Sequence, residues 1–241
     1  MRIIAHRSGP VKYPEQTVLS ALHALEIGAE MVEVDVRFTK DGDLAIHHDD
    51  RADYLFGDSR MIPEMTTKEF LSLRHKNHPE FCSHLLDHYM QAEALPLLIH
   101  IKDEKTIPKI LELSEKYGCT DKITLGVLSA QGVKTAKSII HGVKVLVFMD
   151  KPESTDECVE AGADYIRLWE DWFTEENVAR VKKHPNVELW CMAGKCTPEG
   201  VGYTSKENIE KFVNMGADGI LVNDVSFLIG ALKEIKVIKN K

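Results

Sequence analysis

The chain is poor in cysteine and shows no cysteine pattern. Its five cysteines, Cys82, Cys119, Cys158, Cys191 and Cys196, are odd in number and nowhere form a C-x-x-C pair. That argues against a disulfide-stapled domain or a zinc ribbon and fits reduced thiols in a cytoplasm. Long apolar runs are also missing. No stretch reaches the ~18 residues that would cross a bilayer, and the opening "MRIIAHRSGP" holds too few apolar residues for a secretory leader. The expectation is a cytoplasmic protein without stable membrane insertion. Positive charge is scarce as well: 30 Lys+Arg stand against 38 Asp+Glu, a net charge of −8. This speaks against a nucleic-acid or anionic-membrane partner. A small anionic substrate remains compatible, because a metal or local cations can invert the field of a site.

What the chain does have is apolar content, 44% over 241 residues. That is enough for one large core, and one α/β barrel commonly needs this length. Short β-branched runs recur at Arg2–Ala5, Met31–Val36, Leu97–Ile101, Ile123–Val127, Val143–Phe148, Tyr165–Leu168, Val187–Cys191 and Gly219–Val222. Amphipathic segments lie between them: Thr17–Ile27, Ile107–Lys116, Ala130–Ile140, Thr174–Lys183 and Ser205–Met215. Glycines close several, as in "EIGAE" and "NMGADG", and "TSKENIEKF" opens like a capped helix. Strand–helix alternation carried to eight predicts a closed parallel barrel in a single domain, 1–241, with an open doubly wound sheet as the alternative. Residues 50–96 break the rhythm. They are polar, lack a buried parallel strand, and include "TTKEFLSL" and "FCSHLLDHYMQAEA", which read as short helices. An inserted subdomain over the barrel mouth is expected there. Nothing in the sequence speaks to oligomeric state.

The run "EMVEVDVRFTKDGDLAIHHDD" carries the chemistry. Side chains two apart on a strand share a face, so Glu33 and Asp35 stand together while Val32, Val34 and Val36 take the other side. Two adjacent carboxylates repel unless something compensates them. Near strand C-termini in a barrel, His6 and Arg7, Glu33 and Asp35, and His100 and Lys102 would converge on one mouth. A hard divalent cation suits this set. The alternative is simple pairing of the acids with Arg37 or Lys102. After the Asp41-Gly42 turn, His47 and His48 point to opposite faces, and alternation alone does not choose between them. The clustered His75, His78, His84 and His88 read as residues of the insertion rather than metal ligands.

The motifs "AHRSG", "YPEQT", "VEVDV", "FTKDG" and "HHDD" follow one another from Ile4 to Asp49, with weaker matches in "LIHIK", "GADYI", "ELWCM" and "GADGILVND". In this order and spacing they resemble the glycerophosphodiester phosphodiesterase family. The resemblance implies a TIM (β/α)8 barrel with a small insertion after the second strand. It implies hydrolysis of glycerophosphodiesters to an alcohol and sn-glycerol 3-phosphate, with a divalent metal, magnesium or calcium, as cofactor. By position it implies His6 and His48 as the catalytic pair and Glu33 and Asp35 as metal ligands. It also implies Arg7, Lys102 and Trp190 at the substrate, and Glu15 orienting the first histidine. Trp169 and Trp172 are expected at the mouth, and Asp224 in a structural turn.

Three positions depart from the family. Ser8 stands where glycine is usual, Gln16 where asparagine is, and His100 where the family carries a third carboxylate ligand. A neutral imidazole removes one negative charge and shifts the expectation toward Mn²⁺ or Zn²⁺ as further candidates. The family's Leu-x-Arg-Thr run after the second histidine is also absent. Two other functions fit the same residues: a phospholipase-D-like lyase that stops at a cyclic phosphate, and a phosphate-binding barrel without turnover.

Overall fold

The structure, a computed structural model, describes residues 1–194 and 198–239. Nine strands run β1 (Arg2–Ala5), β2 (Met31–Phe38), β3 (Leu44–Ile46), β4 (Leu97–Ile101), β5 (Ile123–Val127), β6 (Lys144–Val147), β7 (Tyr165–Trp169), β8 (Glu188–Met192) and β9 (Gly219–Val222). The α-helices are α1 (Val18–Glu26), α2 (Asp53–Phe56), α3 (Thr67–Leu71), α4 (Leu86–Gln91), α5 (Ile107–Lys116), α6 (Ala130–Ile139), α7 (Thr155–Glu160), α8 (Glu175–Lys182), α9 (Lys206–Asn214) and α10 (Val225–Lys239). Each of the eight expected strands is present, with ends shifted by a few residues. Helices α7 and α10 fall outside the five amphipathic segments read from the sequence.

The strands pair in the order β1-β9-β8-β7-β6-β5-β4-β2, all parallel, and β1 closes the ring on β2 through Ile4–Met31 and Ala5–Val32. This is the TIM barrel, and the open sheet is excluded by that closure. Strand β3 pairs antiparallel with the end of β2 and lies outside the ring. Alternation sorts the side chains into two cores. Val32, Val34 and Val36 join the shell between strands and helices. Ile4, Leu98, Leu146, Tyr165, Trp190 and Leu221 fill the barrel interior. Several helices begin on short polar caps, which satisfy orphan N–H groups of the first turn. Thr17, Ser129, Thr174 and Ser205 each accept from a backbone N–H three residues on.

The chain between β3 and β4 builds a core of its own from Ala52, Ile62, Met65, Phe70, Leu73 and Leu85, with Ala45 of β3. Helix α3 opens with a capping box between Thr66 and Glu69. Cys82, Cys119 and Cys158 are free thiols, while Cys196 lies outside the described residues. Among the described residues no helix is long and apolar enough to cross a membrane.

Candidate active site

Glu33 and Asp35 sit on the inner face of β2, 1% and 0% exposed. Strand register sets Asp35 beside His100 of β4. His100 Nδ1 lies 3.0 Å from Asp35 Oδ1 and 3.5 Å from Glu33 Oε1. One ligand atom from each of Glu33, Asp35 and His100 falls within 4.8 Å of the others, the donor set of a divalent cation. The set fits such an ion on a second ground: among the described residues, buried Asp35 Oδ1 has no aligned hydrogen-bond donor. The Lys102 ammonium occupies the same corner, 2.8 Å from Asp35 Oδ1 and 3.0 Å from His100 Nδ1, as an ion pair. Burial alone would raise the Asp35 carboxyl, but Lys102 and His100 outweigh it and hold it well below the usual carboxylate range. Glu33 is raised by burial and by Asp35, yet His100 and His6 bring it below its ordinary value. Both carboxylates are therefore ionised at neutral pH.

The family's glycine and asparagine positions acquire a backbone reason here. Ser8 has φ +71° and Gln16 has φ +60°, both left-handed. Glycine adopts this conformation without strain and asparagine tolerates it, whereas Ser8 and Gln16 hold it against a steric cost. Gln16 is compensated by its side chain, whose Nε2 donates to Asp35 Oδ2 at 2.5 Å. Arg7, also left-handed at φ +46°, turns its backbone N–H onto Glu33 Oε2 at 2.7 Å. Its guanidinium binds Glu15 at 3.1 Å and comes within 3.9 Å of Asp35. Glu15 thus meets Arg7 rather than His6.

His6 is oriented by Asn223 instead, whose Oδ1 lies 2.7 Å from His6 Nδ1. The carbonyl oxygen only accepts, so Nδ1 carries the proton and Nε2 is left with its lone pair. Asn223 is held in that sense by donating its Nδ2–H to the Val201 carbonyl at 3.3 Å. Burial lowers the His6 pKa against the pull of Glu33. His48 holds Asp49 Oδ1 through Nδ1 at 2.7 Å. Its pKa is also lowered by burial, with Asp35, Lys102 and Arg7 all close enough to act on it. His47 turns the other way. It is 1% exposed, stacks on Phe56 at 5.5 Å, and meets the Arg51 carbonyl through Nε2 at 2.9 Å. The choice left open by alternation is decided by this packing: His47 belongs to the core of the insertion, His48 to the mouth. The acids do not pair with Arg37, which binds Asp50 and the His48 carbonyl.

Trp190 departs from expectation. It is fully buried on Tyr165, with ring centroids 4.6 Å apart, and its indole N–H donates to Glu188. It is a core residue of the barrel and does not line the cavity beside His6. Of the other tryptophans, Trp169 packs against the barrel interior and Trp172 against the outer shell. Asp224 accepts from Phe227 N at the start of α10, a structural turn as expected. His84 and His88 meet at 3.4 Å, but no third ligand joins them among the described residues. A cavity of about 770 Å³ opens beside His6, Arg7 and Asn223, walled by Tyr13, Phe81 and Tyr203.

The family model described as glycerophosphoryl diester phosphodiesterase matches residues 6–147, more than half of the chain. The chain belongs to the glycerophosphoryl diester phosphodiesterase family. A glycerophosphodiester phosphodiesterase of Caldanaerobacter subterraneus is 22% identical over 253 residues, covering 96% of this chain and 98% of that protein. One of Bacillus altitudinis is 38% identical over 68 residues, 28% of each chain. Among solved structures, an Oleispira antarctica phosphodiesterase in complex with the product sn-glycerol-3-phosphate superposes with TM-score 0.83 at 16% identity, covering 97% of both chains. A putative glycerophosphodiester phosphodiesterase of Galdieria sulphuraria reaches 0.82 at 18% identity, over 98% of this chain and 97% of that one. These structural likenesses extend the barrel fold over nearly the whole chain, beyond the matched segment.

Proposed function

We propose that the protein hydrolyses glycerophosphodiesters to an alcohol and sn-glycerol 3-phosphate, with a divalent metal at Glu33, Asp35 and His100 and acid–base catalysis by His6 and His48. The observation that carries this is the convergence of those three ligand atoms under two histidines of fixed tautomer. A bound metal would supply charge neutralisation at the phosphoryl oxygens. Mg²⁺ and Ca²⁺ suit the carboxylates, and His100 adds Mn²⁺ and Zn²⁺ as candidates.

The residues divide the work by their partners. His6 is neutral, buried and backed by an amide, so its free Nε2 takes the proton of the attacking water. His48 is held by the Asp49 carboxylate, which orients its ring and works against the lowering of its pKa by burial, so it is the one placed to protonate the leaving alkoxide. Such general acid–base help is worth ~10²–10⁴-fold per group. Arg7 and Lys102 face the phosphoryl oxygens as cations. Residues 50–96 form the inserted subdomain, and its Tyr54, His78 and Phe81 on the cavity wall support a role in covering bound substrate. The free thiols support a cytoplasmic location.

Phosphorus NMR of a glycerophosphodiester mixture, with chelator and with added metal, tests the reading. Metal-dependent appearance of glycerol 3-phosphate is expected. A persistent cyclic phosphate would make the protein a lyase, full turnover under chelation would remove the metal, and no turnover with any metal would leave a phosphate-binding barrel.

A further inference from the structure

Arg167 is a charged group that the site above does not use. It lies on β7 between Tyr165 and Trp169, on the face that alternation turns into the barrel, and is 3% exposed. Its guanidinium carbon is 4.2 Å from the Trp169 ring centre and 4.9 Å from that of Phe148. Phe148 in turn lies flat on His100, with ring centroids 3.8 Å apart and planes 11° from parallel. The guanidinium is therefore one aromatic ring away from a candidate metal ligand. Gly126 makes this stack feasible, because a Cβ there would stand 2.5 Å from the Phe148 ring.

The hydrogen bonding of Arg167 is incomplete. Nε and Nη1 are both buried, and among the described residues neither donates to any acceptor. No carboxylate lies within ion-pair distance of it among the described residues, although Glu33 and Asp171 act on it from further away. Burial brings its pKa down to about 9, so it is still a cation at pH 7. A buried guanidinium with free donors and no counter-ion is costly, and aromatic stacking recovers only part of that. An apolar residue would fill the space without the penalty. By contrast, Arg7 is engaged by Glu15 and Lys102 by Asp35. Arg7 also keeps a buried Nε without an acceptor, but among the described residues Arg167 alone of the three has two such donors and no ion pair, and the ligand that suits them is an oxyanion.

We propose that Arg167 is a further substrate-contacting residue, whose guanidinium, held between Phe148 and Trp169, donates to a phosphate oxygen from the interior side of the barrel. This rests on the phosphodiesterase reading above. A dianionic product gains more from such a cation than a monoanionic diester, so product affinity is the sensitive readout.

The experiment is calorimetric titration of metal-loaded wild type, Arg167→Lys and Arg167→Met with sn-glycerol 3-phosphate, together with melting temperatures and KM and kcat. Arg167→Met is expected to bind the product at least tenfold more weakly and to melt no lower than wild type. Arg167→Lys should recover part of the affinity, since one ammonium lacks the guanidinium fork. Product binding by Arg167→Met within twofold of wild type overturns the proposal, whatever its melting temperature. Should Arg167→Met not fold, the ¹⁵N-arginine spectrum of wild type decides, with Arg167→Lys giving the assignment: the Arg167 Nε–H signal must move on adding glycerol 3-phosphate, and a static signal overturns the proposal. A wild type that neither binds nor turns over refutes the phosphodiesterase reading itself. A wild type that does both while Arg167→Met is unaffected refutes only the role of Arg167.

Discussion

Replacing Lys102 by Met separates the two cations that can serve Asp35. The Lys102 ammonium is 2.8 Å from Asp35 Oδ1, and Asp35 is fully buried. Removing one partner of a buried ion pair typically costs about 3–5 kcal/mol. Asp35 keeps Gln16 on its other oxygen and Arg7 at 3.9 Å, so the lower end applies. At ~2–4 °C per kcal/mol for a chain of this size, metal-free Lys102→Met should melt about 6–12 °C below wild type. A divalent metal would then enter without displacing the ammonium. The same ~3 kcal/mol, at 1.4 kcal/mol per decade, tightens metal binding by up to about 100-fold. Thermal melts under chelation and across a Mn²⁺ titration read both quantities. The variant should recover most of its loss in saturating metal, while wild type gains less. If metal-free Lys102→Met melts within ~2 °C of wild type and binds Mn²⁺ no more tightly, then Lys102 does not share the ligand corner and the reasoning fails.

Other outcomes follow from the same contacts. His48→Ala should lose about 10²-fold or more in kcat with an unchanged melting temperature, whereas His47→Ala, buried against Phe56, should lose stability first; the reverse pattern would place the histidines one residue out of register. His100→Glu restores a third carboxylate and should bind Mg²⁺ about tenfold more tightly, and titrations at pH 6 and pH 7.5 should lose the pH dependence that a neutral imidazole ligand imposes; identical titrations for variant and wild type would exclude His100 as a ligand. His75 is buried at the edge of Phe56, and burial takes its pKa down to about 4. The unfolded chain therefore binds the extra proton, and the stability contributed by neutral His75 is complete above about pH 6.5 and declines as pH falls toward 4, by about 2 kcal/mol at pH 5. His75→Phe should flatten that part of a stability-against-pH curve, which urea melts would reveal.

The barrel was legible because its signals are local. Period-two alternation in Met31–Val36 separates two acids from three valines without any knowledge of neighbours, and the structure keeps that separation. The same logic carried His100 and Lys102 to the mouth together. The partners of His6 were not legible. Asn223 is 217 residues away, and nothing in "VNDV" distinguishes it from Asp224 until β9 is seated beside β1. Trp190 was misread for a related reason: a tryptophan near a strand end can point to the floor or the mouth, and the shear of the closed ring decides which. Gln16 was visible only as a departure, since its grip on Asp35 depends on a left-handed backbone that spacing does not announce. Nothing in the sequence singles out Arg167, because alternation says that it faces inward but not that no acid among the described residues pairs with it.

The change at His100 makes physical sense only with its neighbours. A glutamate at that position would reach the metal corner on a flexible side chain and repel Glu33 and Asp35. An imidazole brings no repulsion but must be aimed, and here the aim comes from a ring lying flat against it. Phe148 can take that place because Gly126, on the strand between, has no side chain. Three positions on or just beyond three consecutive strands thus act as one unit. Phe148 fixes the plane of His100, so Nδ1 faces Asp35 and Glu33 instead of rotating toward solvent. The same ring also carries the guanidinium of Arg167 at 4.9 Å. A substitution such as Gly126→Ala, far smaller than any change to a charged residue, should therefore disturb the imidazole and the guanidinium together.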